Sequence, residues 1–396
     1  MTYPMKHPYP LLWCVALLLL GTGCSRRVLV PVEPLALRTP AYHPAPTSRP
    51  AAPLPGQLVG VPIRPAVPAA PAVLVALTAA DFYEPAYQEM TKMLDDRYPL
   101  NFKRAVFLTE NAYLDNQLSY ETFSQRISSL AQVCRLLKKT NDPYFLYDRD
   151  DKENVARNAA IFLMMKDSTH LRSGVTLAPF RYDFEDFDGD LNWTKMFVSK
   201  LLTTHKGNCH SLPYLYKMLA DETGAQTWLS LAPNHVYLKQ RDRKDGFYNT
   251  ELTSYSFPND AWLTASGYIS RETIISGIYM DTLSAKQNVV LCLVDLAKGY
   301  ERKVGRVAAE PFVSKCTDLA LQYFPNYINA QLLQAETLRQ KFERQTTKLE
   351  AQRVYAAMEA AYTRIFETGY REMPPQMYAD WLRSVNDAKQ KYQKKP

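Results

Sequence analysis

The sequence predicts an α+β protein, because helix-period and strand-period segments follow one another instead of alternating. Three observations carry this. Apolar residues recur at helical spacing from residue 77 to about 202. One more helix, over 208–222 with Leu212, Leu215 and Leu219 on one face, leads into three strand-like runs at 226–232, 235–240 and 247–253. From about 287 the helical period returns. Glycine is sparse (14) and tyrosine abundant (26), which suits a helix-rich body better than a β-sandwich with many tight turns.

Each element has its own signal. Over 101–137, Phe102, Ala105, Val106 and Leu108 mark a helix that breaks at Asp115-Asn116. Ser119, followed by Glu121 and Thr122, restarts it through Phe123, Ile127, Leu130 and Val133. Trp193, Phe197 and Leu201 repeat every four residues and predict one helical face ending near Gly207. Pro213 falls in the first turn of the 208–222 helix, where its missing N–H costs little, and Gly224 is its expected cap. The last third reads as helices over 289–303, 311–323, 328–344, 348–368 and 375–391.

The N-terminus has a different character. Lys6 and His7 precede the apolar run 11–20, and Gly21-Thr22-Gly23-Cys24 closes it, which is the pattern of a secretory signal and too short for a membrane span. Twelve prolines lie between Pro31 and Pro71, mixed with Ala and Val and almost uncharged. Such a stretch favours extended polyproline geometry and reads as a tether reaching on the order of 100 Å. The expected organisation is a signal over 1–24, a tether over 25–77, a mixed domain over 78–285 and a helical domain over 286–396.

Charge excludes one class of partner. Of the formal +7, residues 1–77 hold +5, from six basic residues against Glu33, so the other 319 residues carry only +2. A nearly balanced body gives no electrostatic reason to bind phosphate backbones, and no nucleic-acid partner is expected.

The chemistry concentrates in 206–211, Lys-Gly-Asn-Cys-His-Ser. Cys209 follows a glycine at a predicted helix start, where the helix dipole and unpaired N–H groups favour thiolate. His235 opens a strand whose partner follows the polar loop 241–246. A hairpin centred on Arg243 sets His235 opposite Glu251 and Asn249 opposite Tyr237, so Glu251 is the acid placed to orient the imidazole. Oxyanion donors are expected from the Cys209 N–H, with Asn208 or Trp193 as a second. His205, Cys209 and His210 have no second pair at zinc-ligand spacing, so neither a metal nor a cofactor is expected, and His210 reads as a polar residue on the nucleophile helix. Cys134, Cys292 and Cys316 lie on apolar helix faces and read as buried free thiols, with a Cys292–Cys316 disulfide the alternative in an oxidising compartment.

Gly207-x-Cys209, the following leucine-faced helix, Pro233-x-His235 and Phe247-x₃-Glu251-x-Thr253 resemble the transglutaminase-like core, a papain-related superfamily with the chain order Cys, His, acid. The resemblance covers about 192–262, departs in having Glu where the superfamily usually has Asp, and extends to a bacterial lipoprotein branch through the helices upstream. The end of the signal resembles a lipobox, with Cys24 as the lipidated residue, although Gly21 stands where that motif favours Leu. The stretch 319–327 with Ala330 resembles the junction of two tetratricopeptide (TPR) repeats, which implies helical hairpins with a face for a protein partner. Together these imply an exported, membrane-anchored, periplasm-facing thiol hydrolase or acyltransferase acting on amide bonds of a protein or peptide. The alternative is an inactive scaffold of the same fold.

Overall fold

In a computed structural model of the chain, residues 77–374 except Arg172 are described, together with Gln376, Met377 and Asp380. The signal, Cys24, nearly all of the tether and most of the expected 375–391 helix lie outside them. The described chain is a mixed α/β protein dominated by helices, with three small sheets.

Four helices come first: α1 (Ala79–Leu94), α2 (Phe102–Tyr113), α3 (Tyr120–Asn141) and α4 (Lys152–Lys166). The expected break after α2 is real. Asp115 and Asn116 both adopt positive φ, which Asp and Asn tolerate best after glycine. Ser119 Oγ then accepts from Thr122 N at 3.2 Å to start α3. Two short strands, β1 (Thr169–His170) and β2 (Thr176–Leu177), form a small antiparallel ribbon, in which His170 Nδ1 meets Thr176 Oγ1 at 2.9 Å.

The next segment departs from expectation. Trp193, Phe197 and Leu201 do not share one helix. Trp193–Met196 is a 3₁₀ turn, Phe197 is extended, and α5 (Val198–Thr204) starts afresh. The buried carboxylate of Glu110, on α2, accepts from Val198 N at 2.6 Å and Ser199 N at 2.9 Å, supplying a cap that no neighbouring residue offers. His205 ends α5 in the left-handed conformation, stacked on Phe180.

Strand β3 (Arg181–Tyr182) pairs in parallel with β4 (Lys206–Gly207), and α6 (Ser211–Thr223) follows, capped by left-handed Gly224. The main sheet is antiparallel, β5 (Trp228–Ala232), β6 (His235–Asp242) and β7 (Gly246–Thr250), with β6 central. Met280 N and Leu283 N donate to Leu231 O and Leu229 O, both at 2.9 Å, and cover the free edge of β5. One hydroxyl ties these layers together. Tyr216 OH on α6 donates to Asn158 O on α4 and accepts from Gln240 Nε2 on β6, both at 2.8 Å.

After α7 (Asp260–Ser266) and α8 (Arg271–Ile275) come α9 (Ala285–Val304), α10 (Arg306–Tyr323), α11 (Ile328–Glu343) and α12 (Lys348–Glu367). A Ser284/Gln287 capping box opens α9 four residues before the expected start. Helix α9 packs against α1, α2 and α10 and buries Val289, Val290, Leu291, Leu293, Val294 and Leu296 completely or nearly so. At about 2 kcal/mol for each such side chain, this makes α9 a central support of the core. Helix α12 buries only Val354, Ala361 and Ile365. Cys134, Cys209, Cys292 and Cys316 are buried and none is in a disulfide. Among the described residues, no helix is long and apolar enough to cross a membrane.

Candidate functional site

Cys209 sits in the turn that joins β4 to α6. The turn is built by Asn208, which is fully buried and caps the helix from two residues ahead of it. Its Oδ1 accepts from His210 N at 3.1 Å and Ser211 N at 3.0 Å, while its Nδ2 donates to Phe187 O at 2.8 Å. Gly207 is needed because of crowding. A Cβ there would lie 2.6 Å from Ser211 Oγ and 2.9 Å from Leu201 Cδ1.

His235 follows the two-residue turn Pro233-Asn234, in which Asn234 takes positive φ, as suits the third position of a type II turn after proline. The turn carries the Asn234 carbonyl to the thiol, with Cys209 Sγ 3.8 Å from Asn234 O. The Cys209 side chain lies close enough to the His235 ring to help hold its proton. Its Nε2 meets Glu251 Oε2 at 2.5 Å, with both side chains 4% exposed. The other oxygen of Glu251 accepts from Thr253 N at 2.7 Å.

Electrostatics follow from this packing. Burial alone disfavours a charged imidazole, but the Glu251 carboxylate and the Cys209 side chain outweigh it and push His235 up to about 10. Burial likewise works against the Glu251 carboxylate, yet His235 and the Thr253 N–H hold it below its ordinary range. The pair is therefore an imidazolium–carboxylate ion pair over the neutral pH range. A cation beside Cys209 favours thiolate.

The route by which Glu251 arrives differs from the expected one. Leu238 pairs with Thr250 and Asp242 with Gly246, so the hairpin is centred on Lys244, not Arg243. Asp242 Oδ1 accepts from Lys244 N and Asp245 N, and Gly246 takes positive φ, so the turn closes over the three residues 243–245. Every partner consequently moves by two, and Asn249 faces Lys239 instead of Tyr237. A shift of two keeps each side chain on its face. The β7 ladder ends at Thr250, and Glu251 is held beyond it by a bridge to Ser256. The Asn249 amide is bound to Asp260 Oδ1 at 2.7 Å and Pro258 O at 3.0 Å.

The geometry gives two other candidates different work. Asn208, expected as an oxyanion donor, spends its side-chain amide on Phe187 and its main-chain N–H on Ser211 Oγ at 3.1 Å, so it shapes the turn. The indole nitrogen of Trp193 lies beside Gly299 on α9, and Arg302 stacks on the ring at 4.5 Å. His205 Nδ1 meets Ala178 O at 2.9 Å. Among the described residues, no group of three or more His, Cys, Asp and Glu side chains is placed to hold a metal ion.

Sequence reasoning missed one neighbour of the site. His210 is bound to Asp295, on α9, at 2.8 Å. The only signal was that Asp295 interrupts the apolar run 289–296, a charge where the helix period calls for a buried position. Comparison of the chain with protein-family models, with curated proteins and with solved structures gives no match.

Proposed function

We propose that the chain is an exported, lipid-anchored thiol enzyme acting on amide bonds, with a transglutaminase-like core and TPR-like C-terminal helices. One observation carries the reading: a thiol in the turn that opens a helix lies beside a histidine that is itself bound to a buried carboxylate. In this reading the Cys209 thiolate attacks the substrate carbonyl carbon, forming an S–C bond. His235 gives its proton to the departing amine as the C–N bond breaks, and Glu251 stabilises the cation and orients the ring. The Cys209 main-chain N–H supports the developing oxyanion. Water then releases the acid, with His235 taking its proton, and regenerates the thiolate; an amine in place of water gives transamidation. For a single tethered chain we favour water. The substrate is a protein or peptide, and export with lipidation at Cys24 places the body on the periplasmic side of a membrane.

A second reading, a scaffold that binds a partner without turnover, is favoured by the low exposure of the sulfur residue, since Cys209 is 8% exposed. Iodoacetamide labelling of the full-length chain in detergent separates the two. The enzyme reading expects Cys209 to react faster than a free thiol at pH 7 and to lose that advantage in His235→Ala. A rate equal to that of a free thiol and indifferent to His235 sinks it. For the anchor, a Cys24→Ala variant is expected to leave the membrane fraction; retention there would remove the lipid from the proposal.

A further inference from the structure

A second histidine, His210, follows Cys209 directly in the chain, and its surroundings differ from those of His235. The His210 ring lies between two acceptors: Nδ1 is 2.9 Å from Met196 O and Nε2 is 2.8 Å from Asp295 Oδ2. A carbonyl oxygen and a carboxylate oxygen both accept and neither donates, whereas a neutral imidazole has only one N–H. The neutral ring would press a lone pair against an acceptor in a sheltered place, where the His210 and Asp295 side chains are each 15% exposed. Only the imidazolium satisfies both contacts. Tyr214 OH donates to the same carboxylate oxygen at 3.1 Å and its ring packs on His210 with centroids 4.0 Å apart, so the pair is braced from within α6 as well.

We propose that His210 is a positioning residue of the Cys209 site, held as a cation by Met196 and Asp295, and that α9 is thereby part of that site. This rests on the thiol reading above. Both N–H groups of His210 are spent on fixed partners, so the ring has no proton to shuttle and is not a catalytic residue. It supplies a standing positive charge one residue beyond the sulfur, which favours thiolate, and it fixes the turn whose main-chain N–H faces the substrate. The charged and titratable groups around the His210–Asp295 pair come from every packed element: Glu110 from α2, Tyr214 from α6, Cys292 and Lys298 from α9, and Tyr327 ahead of α11. Glu110 already gives both its oxygens to the start of α5, which leaves Asp295 as the carboxylate bound to the ring.

The test uses the full-length chain in detergent, with iodoacetamide as the probe and Cys209 labelling read by mass spectrometry from pH 5 to 10. Asp295→Asn keeps the shape and removes the charge that retains the second proton. We expect its labelling profile to move about one pH unit upward, which is about tenfold slower labelling on the acid limb, with Asp295→Glu restoring most of the rate. An unchanged profile in a folded Asp295→Asn overturns the proposal. If that variant does not fold, ring ¹⁵N–¹H spectra of the wild type at pH 7 decide. Two N–H signals assigned to His210, by their loss in His210→Gln, are expected, and a single one overturns it. A wild-type rate equal to that of a free thiol overturns the enzyme reading and this one with it. A fast wild type with an unchanged Asp295→Asn overturns this one alone.

Discussion

One histidine–carboxylate pair meets the thiol from the sheet, a second starts at the next residue along the chain, and they are assembled in opposite ways. His235 and Glu251 are 16 residues apart and meet just past the open end of a β-hairpin, where the Glu251–Ser256 bridge holds the acid. His210 and Asp295 are 85 residues apart and meet only because α9 packs its apolar face into the core. The first pair is almost sealed, at 4% exposure, and the second less so, at 15%. Charges taken fully out of water depend on each other far more than charges left at a margin. The sealed pair should therefore be expensive to break and the marginal one cheap. The two also divide labour in the proposed chemistry, one moving a proton and the other holding one still.

That contrast breaks most sharply at Glu251. Glu251→Ala leaves a buried imidazole without its partner and should cost about 3–5 kcal/mol in urea denaturation, against about 1 kcal/mol for Asp295→Ala. Equal losses would mean that depth of burial does not distinguish the pairs. The next effect is kinetic. His235→Ala should slow Cys209 alkylation at pH 7 by about 100-fold, several times the loss expected at Asp295. Smaller again is the main-chain scaffold beneath both pairs. Gly207→Ala forces a Cβ against Ser211 Oγ and the Leu201 side chain and should destabilise the fold by about 1–3 kcal/mol, seen as a lowered Tm.

The sealed pair also carries a dependence on pH with a definite sign. His235 is raised in the fold, so its stabilisation is complete below its unfolded value of about 6.5 and fades as the pH climbs towards 10. Glu251 is lowered, so its share is present above about 4.5 and is lost as acid protonates it. The stability difference between wild type and Glu251→Gln should thus be widest between about pH 4.5 and 6.5 and shrink towards pH 10. A difference that grows with pH would contradict the ion pair.

The two pairs were also unequally legible in the sequence. Cys209, His235 and Glu251 could be placed because each depends on local rules: a helix start, a turn after proline, and the two-residue period of a strand. Even the misjudged hairpin centre did little harm, since the register moved by two and left His235 and Glu251 on the same face. What could not be read is whatever depends on one helix finding another. The break at Phe197 exists because Glu110 reaches across 88 residues to cap α5, and nothing near Phe197 announces it. Asp295 was visible as an oddity in an apolar run, but its partner is set by how α9 docks. The mixed helix-and-sheet character was plain from periodicity alone, whereas the early start of α9 came from the Ser284/Gln287 box lying just ahead of its first apolar residue.

The hydroxyl of Tyr216 has a consequence for how the site keeps its dimensions. It is a single oxygen clamped between the main chain of α4 and a glutamine in the middle strand, about one and a half turns along the helix that begins just after Cys209. This oxygen acts as a shim between helix and sheet. Sulfur and imidazole lie on opposite sides of that seam. Tyr216→Phe would leave every residue at the site in place and remove the bond that spans the joint between them.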